Sequence, residues 1–159
     1  MTSDRKLKKI DLEKLNAEID ELTDYIRWAR SLGIDTKTRA LLKALDIGFS
    51  VMKEMGAAKK VVVFTESRRT QNWLKDFLEG NGYAGQVLTF NGTNKDDASG
   101  QIYQEWLVAN KKSGRATGSR QVDLRAAIID RFREQASILI ATEAGAEGLN
   151  LQFCSAIVN

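Results

Sequence analysis

The sequence has no histidine, no proline and a single cysteine, Cys154. Without histidine the chain cannot by itself build a Ser-His-Asp triad or a histidine-ligated metal centre. One cysteine excludes an internal disulfide and a multi-cysteine zinc site, and it suits a reducing, intracellular setting. The lack of proline removes one common mark of linkers and fits a helix-rich chain. No apolar run approaches the roughly 18 residues of a membrane-spanning helix. The opening MTSDRKLKKIDLEKL has no apolar stretch of signal-peptide type. A cytoplasmic protein without a membrane partner is expected. Neither sign of charge dominates, with 24 Lys and Arg against 21 Asp and Glu. The formal net charge is +3, which permits a polyanionic partner without demanding one.

What is present reads as helices first and α/β afterwards. Residues 4 to 31 form a helical pattern, with Leu12, Leu15, Ile19, Leu22, Ile26 and Ala29 along one face. That face packs on its own or a neighbouring domain, or pairs as a short coiled coil. Gly33 breaks this helix, and Asp35 or Thr36 can cap the next. The second helix has a buried stripe of Leu41, Leu42, Leu45, Phe49, Met52 and Met55, and ends near Gly56. KKVVVFT (59 to 65) then reads as a strand buried on both faces, as in a parallel sheet. A helix follows with Trp73, Leu74, Phe77 and Leu78 inward, then strand QVLTF (86 to 90). Helices near 97 to 111 and 120 to 134 precede the strands SILIAT and SAIVN. This order predicts a parallel sheet with right-handed crossovers. GNGYAG (80 to 85) matches G-x-G-x-x-G in letters only. It lies after a helix and before a strand, so it is a helix stop and not a dinucleotide cradle. No G-x-x-x-x-G-K-[ST] loop occurs.

Ligands of an open parallel sheet bind beyond the carboxyl ends of its strands. Three such ends carry suggestive residues: Thr65 to Arg69, Asn91 to Thr93, and Thr142 to Asn150. Hydroxyls, arginines and exposed backbone amides suit phosphate oxygens. Glu66, Glu143 and Glu147 would repel phosphate unless turned away. Each turn taken alone also reads as ordinary strand-to-helix capping. The segment KKSGRATGSR (111 to 120) carries Lys111, Lys112, Arg115 and Arg120 among small polar residues. It either grips a nucleic-acid backbone by charge or is a solvated loop. Trp106 is either core or a partner contact.

In this order, VVVFTESRRT, NGT, LRAAIIDRF and ILIATEAGAEGLNLQ resemble the second RecA-like lobe of superfamily 2 helicases and translocases. The Swi/Snf-type and related bacterial DNA helicases are the nearest in flavour. The resemblance covers roughly residues 34 to 159 and implies a three-layer αβα RecA-like parallel sheet. Residues 1–33 would be an N-terminal helix or inter-lobe connector, and 94–119 an insert relative to compact members. By the same resemblance Thr65, Ser67, Arg68, Gly92, Arg125 and Thr142 face the nucleic-acid backbone. Glu147, Gly148 and Asn150 face ATP and magnesium held between two lobes. Gly145 and Gly148 would let the backbone approach both ligands. The implied partners are nucleic acid, duplex DNA above all, and a first RecA-like lobe of the same protein.

Asn159 falls before the position of the family's Q-R-x-G-R motif, and the first lobe's Walker lysine and acid pair do not occur. Phosphoryl transfer needs those parts. The expectation is therefore a piece of a larger motor, inactive alone. Two alternatives are a stand-alone binding module derived from such a lobe, and an unrelated α/β enzyme such as a nucleotide-dependent transferase.

Overall fold

A computed structural model describes residues 12–31 and 36–159, with side chains at 14–25 and 36–159. The expected helix start over residues 4–11, the Gly33 break and the Asp35 cap lie outside the described residues. So do the side chains of Leu12, Ile26 and Ala29. Two compact units divide between Lys43 and Ala44. The first contains α1 (Leu12–Ser31), on which Leu15, Ile19 and Leu22 are exposed, and the start of α2 (Thr36–Glu54).

The second unit runs from the end of α2 through β1 (Val61–Thr65), α3 (Arg68–Leu78), β2 (Val87–Phe90) and α4 (Asp97–Asn110). It continues through α5 (Arg120–Glu134), β3 (Ile138–Thr142), α6 (Glu143–Ala146) and β4 (Ala156–Val158). The sheet order is β2-β3-β1-β4, and every neighbouring pair is parallel. This is the α/β lobe expected from the alternating pattern. The β-branched runs fill both faces of the sheet. Val62, Leu139 and Phe90 pack with Leu124, Ile128 and Phe132 of α5. Residues of the other parity, Val61, Val63, Ile138, Ile140 and Val87, are buried as well, and α3 packs against β1, β2 and β3. Between α3 and β2, a turn at Glu79–Tyr83 closes the helix with Gly82 at φ +100, as the misplaced glycine pattern implied. Lys60, just before β1, donates from Nζ to the carbonyls of Phe132 (2.8 Å) and Ala136, which closes the end of α5. Burial lowers its pKa from the usual lysine value.

Three expectations need correction. Met55 is 76% exposed, because α2 has already ended at Glu54. Trp73 is 50% exposed and stacks on the half-buried Phe77 at the rim of α3. The inward stripe of that helix is Gln71, Leu74 and Leu78. The segment 111–119 is exposed but not loose. It doubles back along α4 and α5, with Arg115 paired to Asp130 (2.7 Å) and its guanidinium 5.6 Å from the ring centre of Trp106. Trp106 is core, and its Nε1 donates to Asp130 at 2.8 Å.

Asp123 fastens the end of this strap. Its buried carboxylate accepts from the Thr117 amide (2.8 Å), the Thr117 hydroxyl (2.7 Å) and the Gly118 amide (3.1 Å). The Thr117 amide first, then its hydroxyl, hold the acid below its ordinary pKa. A carboxylate with a depressed folded pKa adds stability above its unfolded pKa of about 4. That stability is lost as pH falls through the still lower folded value. Urea midpoints followed from about pH 7 to about pH 3 should fall more for the wild type than for Asp123→Asn. Parallel profiles would remove Asp123 from the acid response.

Candidate functional site

The carboxyl ends of β1, β2 and β3 lie side by side, since Thr65 is in register with Thr142 and Phe90 with Ala141. All three expected turns therefore meet on one edge. Each is built by a different local device. After β1, Ser67 is the N-cap of α3, and its Oγ accepts from the Thr70 amide at 3.1 Å. Its hydroxyl is thus committed to the helix, while Glu66, Arg68 and Arg69 are exposed. Thr65 and Thr142 are buried, with Thr65 Oγ1 3.5 Å from the carbonyl oxygen of Ser67.

After β2, Asn91 turns inward. Its side-chain oxygen accepts from the amides of Thr93 (3.1 Å) and Asn94 (2.8 Å) and from the Thr93 hydroxyl (3.1 Å). Asn94 Oδ1 in turn accepts from the Asn91 amide at 2.8 Å, and Asn94 holds φ +43, a region asparagine tolerates. Only Gly92 and Thr93 of that turn face outward. Behind Asn91 lies Gln71, fully buried. Its Nε2 donates to the carbonyls of Phe90 and Ile140, both at 2.8 Å, and its Oε1 accepts from Asn91 at 3.3 Å. Gln71 thus ties α3 to the ends of β2 and β3. Sequence reasoning missed it. The signal was its spacing with Leu74 and Leu78 on one helical face.

After β3, the chain turns through α6. A Cβ on Gly145 would lie 2.7 Å from the backbone carbons of Asn91 and 2.8 Å from Thr142 Oγ1. This glycine is therefore required by the packing of one turn on another, a reason the sequence did not show. Gly148 faces open space at φ +75, where glycine is favoured. Arg125 on α5 donates from Nη2 to the Glu147 carbonyl at 2.7 Å, and its guanidinium stands over Phe90. Asn150 Oδ1 accepts from the Gln152 amide at 3.2 Å.

The edge has walls of opposite character. Lys95, Arg120 and Arg125 line a cleft with Gly92 and Thr93. Arg125 and Arg133 line the next cleft with Gly148 and Asn150. A third hollow, formed by Phe64, Glu143, Glu147 and Asn159 among others, has acidic side chains and no basic one. The expected nucleotide set is thus divided, with Glu147 lining the acidic hollow and Gly148 and Asn150 the basic cleft. Lys111 and Lys112 follow the end of α4. They stand about 20 Å along the helix from the β2 turn, given a 1.5 Å rise per residue, so they do not join this edge. Arg115 is spent on Asp130. Among the described residues no three carboxylate, histidine or cysteine side chains converge as a metal site. Nor is any helix long and apolar enough to cross a membrane.

The sequence matches the family described as "Helicase conserved C-terminal domain" over residues 36–159. It is also similar to the "Uncharacterized ATP-dependent helicase YqhH" of Bacillus subtilis (strain 168), at 35% identity over 100 residues. That match covers 63% of this chain and 13% of the relative's length.

Proposed function

Because the chain belongs to the helicase conserved C-terminal domain family, we propose that it is the second RecA-like lobe of an ATP-dependent nucleic-acid motor of Swi/Snf type. Its track in this reading is the phosphate backbone of duplex DNA. A first lobe of the same protein completes the ATP site, and the relative's much greater length leaves room for one. Residues 34–159 are the lobe, 94–119 its insert, and 1–33 the connector.

The observation that carries this reading is the double anchoring of the 142–150 turn. Gly145 packs on the Asn91 backbone, and the Glu147 carbonyl is bonded to Arg125. A shift of this turn therefore displaces the β2 turn and α5, both of which border the basic clefts. That is the linkage a motor needs between a nucleotide and a track. Gly148 and Asn150, opposite Arg125 and Arg133, fit phosphate oxygens. The acidic side chain of Glu147 does not, and its part is played by its carbonyl. Bound ATP would supply the free energy of phosphoryl transfer, with magnesium held by the nucleotide and the first lobe. This chain's residues would bind, orient and transmit: Thr65, Arg68, Gly92 and Thr142 toward the track, and Arg125 between the track and the turn.

The test is ATP turnover by the full-length native protein, with and without duplex DNA, beside Thr142→Ala. DNA-stimulated turnover is expected, falling about tenfold or more in the variant, as for one lost contact of about 1.4 kcal/mol. No turnover with any nucleic acid would replace the motor by a stand-alone binding module.

A further inference from the structure

The insert has no assigned task in the reading above, yet the bonds at its two ends place two basic side chains, Lys95 within it and Arg120 directly after it. Lys95 follows Asn94, whose left-handed backbone and buried side chain are fixed by Asn91. Arg120 follows the Thr117–Gly118 knot on Asp123, and its guanidinium stands 5.3 Å from the ring centre of Tyr103 on α4. Together they line a cleft of about 350 Å³, with Gly92 at its floor turn and Arg125 beside them. Lys95 and Arg120 are exposed, and no carboxylate lines the cleft. The acid nearest in sequence to each is engaged by neighbouring donors: Asp96 accepts from the Ser99 amide and hydroxyl, and Asp123 from Thr117 and Gly118. Asp97 is exposed and does not line the cleft.

We propose that residues 94–119 hold a second phosphate subsite at their two ends, in which Lys95 and Arg120, the residue that follows them, each grip one of two adjacent nucleic-acid phosphodiesters next to the Gly92 turn. The proposal rests on the nucleic-acid reading and extends it by giving the insert a function. Two flexible cations without a base-reading partner act on charge alone. They lengthen the footprint on the backbone and add no sequence preference. Lys111 and Lys112, which the composition favoured, stand at the far end of α4 and take no part.

Fluorescence anisotropy of a labelled duplex titrated with the protein at increasing salt tests this. Lys95→Ala/Arg120→Ala should lower the slope of log affinity against log salt by about 1.8, or 0.9 per lost phosphate contact. The control Lys43→Ala/Lys53→Ala removes the same charge from exposed positions on α2 and should leave the slope unchanged. An unchanged slope in the cleft variant, or equal falls in both, overturns the subsite while DNA binding stands. Displacement of the duplex by free ATP only when Lys95 and Arg120 are present would make the cleft a nucleotide site and also overturn it. A wild type that binds neither DNA nor RNA at low salt removes the nucleic-acid reading, and the subsite with it.

Discussion

Gln71→Ala is expected to destabilise the protein by about 4 kcal/mol, the sum of a cavity and several stranded polar groups. Gln71 is 0% exposed, and its carboxamide satisfies two strand carbonyls and the Asn91 side chain at once. A buried polar group left without a partner costs about 1–3 kcal/mol. Gln71→Leu separates the two contributions, since it keeps most of the volume and loses every hydrogen bond. It should still cost about 3 kcal/mol in a urea titration. A cost below about 1 kcal/mol would mean that the strand ends are held without the amide. The effect should extend to function, because Asn91 orders the Gly92–Thr93 turn and abuts Gly145.

Gly145→Ala should cost about 3 kcal/mol, at the upper end of ordinary overpacking. The added Cβ meets backbone carbons of Asn91 at 2.7 Å, and backbone cannot rotate aside as a side chain would. Gly148→Ala makes the comparison sharp. It meets nothing within 4 Å, and only its φ of +75 opposes it, at about 1–2 kcal/mol. Denaturant unfolding of both variants reads the difference. Equal small losses would show that the 142–150 turn slides freely over the β2 turn, and the proposed linkage would lose its physical basis.

Much of the second unit was legible in the sequence. α5 was expected at 120 to 134 and lies at Arg120–Glu134, and the strands differ by a residue or two at their ends. Unbroken β-branched runs and a repeating helical face leave few other options. The site was harder to read. On α3 the aromatic rings of Trp73 and Phe77 drew the inward face toward themselves, while glutamine looks like a surface residue. It becomes a core residue only because two carbonyls, 19 and 69 positions away, accept from it. The same holds for the strap. Its glycines, serines and lysines read as a loose basic loop, and the partners that fix it, Asp123, Asp130 and Trp106, belong to helices on either side. Gly145 was singled out for its approach to ligands, and the atoms that exclude a side chain there come from the β2 turn, which the sequence could not place beside it.

The sheet order carries a cost during synthesis. β1 lies inside the sheet yet is made first, and its ladder partners are Ile138 to Thr142 on one side and Ala156 to Val158 on the other. A nascent chain therefore carries VVVF with both ladder edges open while roughly 80 further residues are added, several seconds at ordinary translation rates. Short, uncharged, β-branched segments of that kind are prone to pair with neighbouring chains. The arrangement that gathers three turns on one finished edge thus makes β1 the segment a holding chaperone would cover on the ribosome.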